Sequence, residues 1–255
     1  FQHQGTMTAK TSAVAVAGGG LALGNGAVSN VAGDTSLHIT GGAIEGMIVG
    51  GGVTDNGVKG GILPGTTVGG NTNIFISGPD TIIKDDIVGG GYGYSTVAGN
   101  TNIIIQSLNG QSNGDIMGGG RLDTIIGGTS NTVAGKATII IDGTSETGYQ
   151  GNVYGGGMVN SYMPAPTTVS VGSTDIRIGK DAIINESVFG GGRIRGQETG
   201  NVGSSNVTGS TNVYVAGKLN GVAGGGWAHG YLSGNSSADV QANVGGAHVT
   251  VDGGT

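Results

Sequence analysis

Cysteine is absent from this chain of 255 residues, so no disulfide framework supports its fold. Charged residues make up only 10% of the sequence and aromatic residues 4%, which is unlike an ordinary globular domain. The ten Lys and Arg residues are dispersed and the net charge is -6, so the basic patch that nucleic-acid binding requires is missing. No apolar run reaches the roughly 18 residues of a membrane-spanning helix, and we expect no membrane insertion by this chain.

Glycine is the residue that the chain has in excess, with 59 copies. These glycines follow no three-residue period, which excludes a collagen triple helix. Disorder is excluded as well, because disordered chains are poor in β-branched residues, whereas Val and Ile are frequent here and regularly placed. The composition therefore predicts a folded chain with a buried aliphatic core.

Seven glycine triplets divide the chain into repeats of 29 to 39 residues. They begin at Gly18, Gly50, Gly89, Gly118, Gly155, Gly190 and Gly224. Such a period is typical of a solenoid, in which one unit cannot bury its apolar face alone and stacks on its neighbours. We interpret the triplets as stacked corners, where glycine permits positive φ and avoids crowding by a Cβ atom.

A second segment recurs in every repeat, with Thr or Ala at its first position and aliphatic residues at its third and fifth. It starts at Thr35, Thr72, Thr101, Ala137, Thr174, Thr211 and Ala247. The period of two predicts a strand with these three residues on one buried face. The Thr column shares that parity, so it is expected to point inward, which argues against an ice-binding face. A Val lies three or four residues before each strand.

The part of each repeat that keeps its length amounts to about 20–25 residues, enough for three short strands and three corners. This predicts an all-β fold, a single-stranded parallel β-helix (β-solenoid) of about seven repeats of ~34 residues, forming one domain over 1–255 that belongs to a longer repeat protein. All variation in length falls after the triplets, so we expect inserted loops on one side of the solenoid.

Arginine and aromatic residues cluster in these insertions, where anchor contacts to a ligand could form. The candidate binding residues are Tyr92, Tyr94, Arg121, Tyr162, Arg193, Arg195, Trp227 and Tyr231. The alternative is that these side chains only hold the loops against the solenoid. Both interpretations place these candidate residues in the segments that follow the glycine triplets.

Three carboxylates precede the third triplet: Asp80, Asp85 and Asp86. Such a group could bind calcium or act in a polysaccharide-cleaving site. No other repeat carries the cluster, which favours a solvated turn. The four histidines are far apart in the sequence, so the sequence predicts no catalytic residue, no metal and no cofactor.

The chain resembles the Gly-rich repeat segments of bacterial autotransporter-type adhesins. The resemblance rests on Val-Tyr-Gly-Gly-Gly from Val153 to Gly157, on Val-Phe-Gly-Gly-Gly from Val188 to Gly192, and on the alternating Thr-Asn-Ile-x-Ile strands, and it extends from about Val14 to Gly254. It implies secretion to the bacterial cell surface and a rod-like passenger that displays adhesive loops.

The sequence thus predicts a noncatalytic extracellular stalk or adhesin segment. Its expected partners are host or cell-surface glycans or proteins, and end-to-end association into fibres belongs to the same hypothesis. One alternative is a polysaccharide lyase or hydrolase on a β-helix that uses Asp85, Asp86 and a nearby arginine. Another alternative is a fragment of a phage tailspike.

Overall fold

The computed structural model of the chain describes residues 2–3, 6–7, 14–54, 63–124, 129–161, 166–196, 202–230, 232–233, 236–237 and 239–253. These residues form β-strands and no helix, and therefore no helix that could cross a membrane. All strand pairs but one short hairpin are parallel and join one repeat to the next. Thr72 pairs with Thr101, and Thr101 with Ala137, so each repeat makes one coil. The predicted parallel β-solenoid is confirmed.

Sheet 1 is the largest wall and contains 11 strands. In the early coils it has two strands per repeat, which are Val28–Val31 and Thr35–Ile39, Gly65–Val68 and Thr72–Ile76, and Ser95–Val97 and Thr101–Ile105. In the later coils the two run together as Thr129–Gly143, Thr167–Asp181, Val202–Val215 and Asp239–Val251. Gln2–His3 adds a short strand at one edge.

Sheet 2 has seven strands and leads into the triplets: Val14–Ala17, Met47–Val49, Ile87–Val88, Ile116–Met117, Val153–Tyr154, Ile183–Phe189 and Lys218–Ala223. Seven stacked strands enclose six turns. Sheet 3 follows the triplets, with Arg121–Thr124, Met158–Ser161, Arg193–Gly196 and Trp227–Gly230. Leu21–Ala22 and Val53–Thr54 continue it through bridges at Tyr92.

The remaining strands are short. Thr6–Met7, Ala43–Ile44 and Ile82–Ile83 form a small sheet between sheets 1 and 2 along the chain. Leu232–Ser233 and Ser236–Ser237 form the antiparallel hairpin. None of these strands adds a wall, so sheets 1, 2 and 3 define the cross-section.

The core is a set of aliphatic ladders between the walls. Ile74, Ile103 and Ile139 of sheet 1 are at most 1% exposed and pack against the inward side chains of sheet 2, such as Ile87 and Ile116. The Val residues before the strands form a ladder of their own from Val31 to Val244. Each buried aliphatic side chain contributes about 1.5–3 kcal/mol, so the stack itself stabilises the rod.

The Thr column points inward, as predicted. Thr72, Thr101, Thr174 and Thr211 are fully buried. Each hydroxyl donates a hydrogen bond to the carbonyl oxygen of the first glycine in the triplet that follows it in the sequence. These bonds measure 2.6, 2.5, 2.8 and 2.6 Å respectively. This column is therefore part of the interior and offers no ice-binding face.

The triplets are stacked corners, but one reason expected for their glycines is wrong. No triplet glycine has a positive φ. Instead, the corners pack backbone on backbone: the N–H of Gly51 donates to the carbonyl oxygen of Gly90 at 2.8 Å, and a Cβ on Gly51 would lie 2.9 Å from that oxygen. A Cβ on Gly52 would overlap the side chain of Thr66 across the interior. Close approach, not backbone freedom, requires glycine here.

Four of the segments of variable length are joined to described strands at the same edge of the solenoid. Residues 55–62, 125–128, 162–165 and 197–201 lie outside the described residues, and each connects the end of a sheet 3 strand to the next strand of sheet 1. The predicted attachment of the insertions on one side of the solenoid is confirmed by these anchor points.

Candidate binding site at the glycine corner

The triplet bends the chain so that the outer faces of sheets 2 and 3 turn toward each other. Val49 and Val53, which flank one triplet, belong to the same apolar cluster, and so do Val88 and Tyr92 at the next. Ile48 and Leu122, which have the opposite parity, belong to interior clusters. We call the resulting trough the corner groove. Its apolar floor consists of Met47, Val49, Val53, Val88, Met117, Tyr154 and Met158.

Arg121 crosses the corner groove between two carboxylates. It is the first residue of a sheet 3 strand, and its Nη1 makes a close ion pair with Asp86, which directly precedes a sheet 2 strand. Its Nη2 and Nε lie 2.7 and 2.8 Å from Asp123 Oδ2. The guanidinium carbon is 6.0 Å from the centre of the Tyr92 ring. Because the side chain is only 18% exposed, these contacts fix its position.

Arg193 occupies the equivalent place two coils further on. Its Nη1 lies 2.7 Å from Asp115 Oδ2, and its guanidinium carbon is 5.3 Å from the Trp227 ring centre. Trp227 in turn stacks on His229, with the rings 7° from parallel and 5.5 Å apart. A cation held over an indole face is attracted by the ring quadrupole.

The sheet 2 wall of the groove carries a polar ladder at the third position before four successive triplets, formed by Asp86, Asp115, Asn152 and Ser187. The N–H of Asp115 donates to Asp86 Oδ1 at 2.6 Å, and the N–H and side-chain amide of Asn152 both donate to Asp115 Oδ1 at 3.1 Å. The N–H of Ser187 donates to Asn152 Oδ1 at 3.3 Å. These bonds join successive coils and orient the carboxylates toward the arginines.

Burial changes the acid–base properties of the groove. Desolvation raises the pKa of Asp86 to about 6, although Arg121 and the N–H of Asp115 favour the charged carboxylate. Burial, together with the charge of Asp115, raises the pKa of the Tyr154 hydroxyl well above its usual range. A shifted carboxyl beside an arginine is typical of functional sites but also occurs in structural ion pairs.

The structure brings four of the predicted binding residues together: Tyr92, Arg121, Arg193 and Trp227 line the corner groove. The three arginines and Trp227 lie in strands of sheet 3, so their assignment to inserted loops is wrong. Their side chains alternate with buried residues such as Ile194, which anchor the strands.

The other predicted residues are placed elsewhere. Arg195 lies on the same face of sheet 3 as Arg193 but farther from the triplet, where it is exposed. Tyr94 lines a pocket beside Val28 and Leu63, away from the arginines. Tyr162 and Tyr231 lie outside the described residues.

The three carboxylates of the predicted weak metal site separate. Asp80 lies in an exposed turn, Asp85 accepts the N–H of Asp86 at 2.8 Å, and Asp86 faces Arg121. Within the described ranges, no group of three or more His, Asp or Glu residues is placed to hold a metal ion. The calcium interpretation therefore finds no ligand set in this part of the chain.

Several groove residues escaped the sequence analysis, notably Asp115, Asp123, Tyr154 and Phe189. Tyr154 and Phe189 stack with their rings 8° from parallel and 5.0 Å apart. Each residue has a fixed place relative to a triplet, one or three positions away. This constant offset from the glycines is the sequence signal that identifies them.

Comparison of the chain with protein-family models, curated proteins and solved structures yields no match. Its function is therefore argued from the geometry of its surfaces. A second concavity of about 760 Å³ lies on the outer face of sheet 1. Two of its polar side chains are already engaged there, Arg177 with Asp175 and Tyr214 with Asp252. We favour the corner groove, where arginines and aromatic rings converge on rigid strands.

Proposed function

We propose that this chain is a noncatalytic extracellular segment of a bacterial surface stalk or adhesin. In this proposal the stacked coils supply a stiff rod and the corner groove binds a glycan or protein at the cell surface. The observation that carries the proposal is the placement of Arg193 and Trp227 side by side on neighbouring strands of sheet 3. Arg and Trp are the residue types most enriched among strong binding anchors.

Rigidity of the groove supports this role. Arg193 is fixed by Asp115, and Trp227 by His229. Groups that are ordered before the partner arrives lose little conformational entropy on binding, so more of the contact energy becomes affinity. A rod with preorganised anchors suits adhesion better than a flexible stalk would.

The test is a screen of the purified chain against a glycan array and a panel of host surface proteins. Trp227→Ala and Arg193→Ala should abolish or strongly weaken the binding signal. Arg177→Ala removes an arginine from the outer face of sheet 1 and should leave binding unchanged. Binding that is insensitive to both groove variants would refute the groove assignment.

A polysaccharide lyase or hydrolase is the second candidate, and one specific observation favours it. Asp86, Arg121 and Asp123 converge in one groove, and the pKa of Asp86 is raised to about 6, which suits a general acid or base. Arg121 is bound by both carboxylates, which is also how a purely structural pair would look. Release of reducing ends from neutral or acidic polysaccharides, lost in Asp86→Asn, would establish this activity and overturn the noncatalytic proposal.

Stacking of further coils is compatible with the same role. Leu21, Leu23 and Val28 are exposed on the first full coil, and Val249 and Val251 on the last strand of sheet 1. These faces can accept another repeat or a second copy of the chain. Sedimentation velocity over a range of concentrations tests the second arrangement: growth into linear oligomers supports fibres, and a discrete trimer would favour the tailspike alternative.

A further inference from the structure

A small pocket lies in the corner groove beside Arg193. It has a volume of about 320 Å³ and is lined by Asn152, Tyr154, Ser187, Phe189, Arg193 and Trp227. Sheet 2 supplies one wall and sheet 3 the other, across the stacked glycines. Ligand sites in proteins begin at about 300 Å³, so this pocket suits one ring-sized group rather than a folded partner.

Two aromatic rings line this pocket, one from sheet 2 and one from sheet 3, and each is stacked on a second ring. Phe189 stacks on Tyr154, and Trp227 stacks on His229. Both Phe189 and Trp227 remain partly exposed. A ring-shaped ligand with an apolar face could therefore pack against them without reordering the side chains.

Hydrogen-bond donors at the pocket remain unused within the described part of the chain. Arg193 engages Asp115 and the sulfur of Met158 through Nη1, which leaves Nη2 and Nε without a described partner. The Ser187 hydroxyl and the Trp227 indole N–H likewise have no partner among the described residues. These groups can bond to ligand hydroxyls.

The charge of the pocket selects among ligand classes. Asp115 balances Arg193 at 2.7 Å, so the guanidinium carries donors without a net excess of positive charge. The carboxylate of Asp115 would repel a phosphate or a uronate, whereas a neutral polyol carries no charge for it to repel. A pyranose ring has both required features, an apolar C–H face and several hydroxyls around its edge.

We propose that this pocket binds one neutral pyranose unit of a glycan, with the sugar face against Phe189 and Trp227 and its hydroxyls bound to Arg193 and Ser187. The inference rests on the proposed binding role and narrows it to a ligand class and a subsite. Binding of a peptide or an acidic ligand in place of a neutral sugar would therefore count against this inference.

Trp227 makes the experiment specific, because it is the only tryptophan in the chain. Its fluorescence therefore reports on this pocket alone. We expect a saturable change in emission on titration with the methyl glycosides of glucose, galactose, mannose and N-acetylglucosamine, for at least one of the four. Arg193→Met and Ser187→Ala should each weaken the apparent affinity about five- to tenfold. The control Arg177→Met should not change it.

The outcomes separate this inference from the broader proposal. Glycan-array binding without any change in Trp227 emission would overturn the pocket and leave the adhesive role standing. If neither array binding nor a change in Trp227 emission is seen, both the pocket and the adhesive role are overturned. Saturation by glucuronate or phosphate but by no neutral sugar would refute the ligand class. If Arg193→Met unfolds, as circular dichroism would show, Phe189→Ala tests the same pocket from its other wall.

Discussion

The hydroxyl of Thr72 donates a 2.6 Å hydrogen bond across the interior of the solenoid to the carbonyl oxygen of Gly89. The same bond links sheet 1 to the glycine corner in the repeats of Thr35, Thr101, Thr174 and Thr211. In the fourth repeat Ala137 occupies this position. The bond satisfies a buried carbonyl lone pair and ties the two walls together, so it links the two recurring motifs of the sequence.

Thr101→Val should destabilise the solenoid by about 1–2 kcal/mol, because it removes a buried donor while it keeps the side-chain shape. The matched control is Thr96→Val, which changes an exposed Thr on the outer face of sheet 1 and should cost less than about 0.5 kcal/mol. Thermal unfolding followed by circular dichroism measures both. Equal effects would show that the inward bond contributes no net stability.

Gly90→Ala should destabilise the protein by about 1–3 kcal/mol or more, since its Cβ would lie 2.8 Å from the backbone nitrogen of Gly120. Gly225 holds the same place in the last triplet, and a Cβ there would meet no atom within 4 Å. Gly225→Ala is therefore expected to be neutral or slightly stabilising. A comparable loss in both variants would show that glycine is needed at the corner for backbone conformation rather than for close packing.

Two adjacent isoleucines test which face of a sheet 1 strand is buried. Ile103 is fully buried and Ile104 is partly exposed on the outer face. Ile103→Ala should cost about 2–5 kcal/mol, whereas Ile104→Ala should cost well under half as much. Denaturant unfolding of the two variants measures the difference. A larger loss for Ile104 would mean that its outer face is covered by a partner in solution.

Much of this fold is readable from the sequence because a strand has a side-chain period of two. The alternation at Thr101, Ile103 and Ile105 predicts which face is buried, and the structure agrees. The sequence does not predict the sheet 3 strands, because they lie directly after the triplets, in the part of the repeat that varies in length. Even so, Arg121-Leu122-Asp123 alternates polar and apolar residues, and Leu122 is only 1% exposed.

The corner groove could not be predicted because its contacts depend on the direction of the bend at the glycines. Arg193 meets Asp115 from 78 positions away in the sequence. The segments between them vary in length, so the spacing along the chain carries no signal. Arg193 directly follows one triplet and Asp115 lies three positions before another, and only an inward bend places them side by side. Glycine itself permits bends in either direction, so the triplets do not predict this contact.

The buried carboxyl of Asp86 predicts a pH dependence of stability. Burial raises its pKa from 3.8 to about 6 in the folded protein, so between these values the folded state holds a proton that the unfolded state has released. The free energy of unfolding contributed by this group is greatest below about pH 4 and is lost as the pH rises through 6, by about 1–3 kcal/mol. Asp86→Asn should flatten this part of the curve of melting temperature against pH, whereas Asp85→Asn, which changes the net charge equally, should retain the slope. An NMR titration of the Asp86 carboxyl with a midpoint below 4 would instead mean that the Arg121 ion pair outweighs burial, and stability would then increase with pH over the range in which this group titrates.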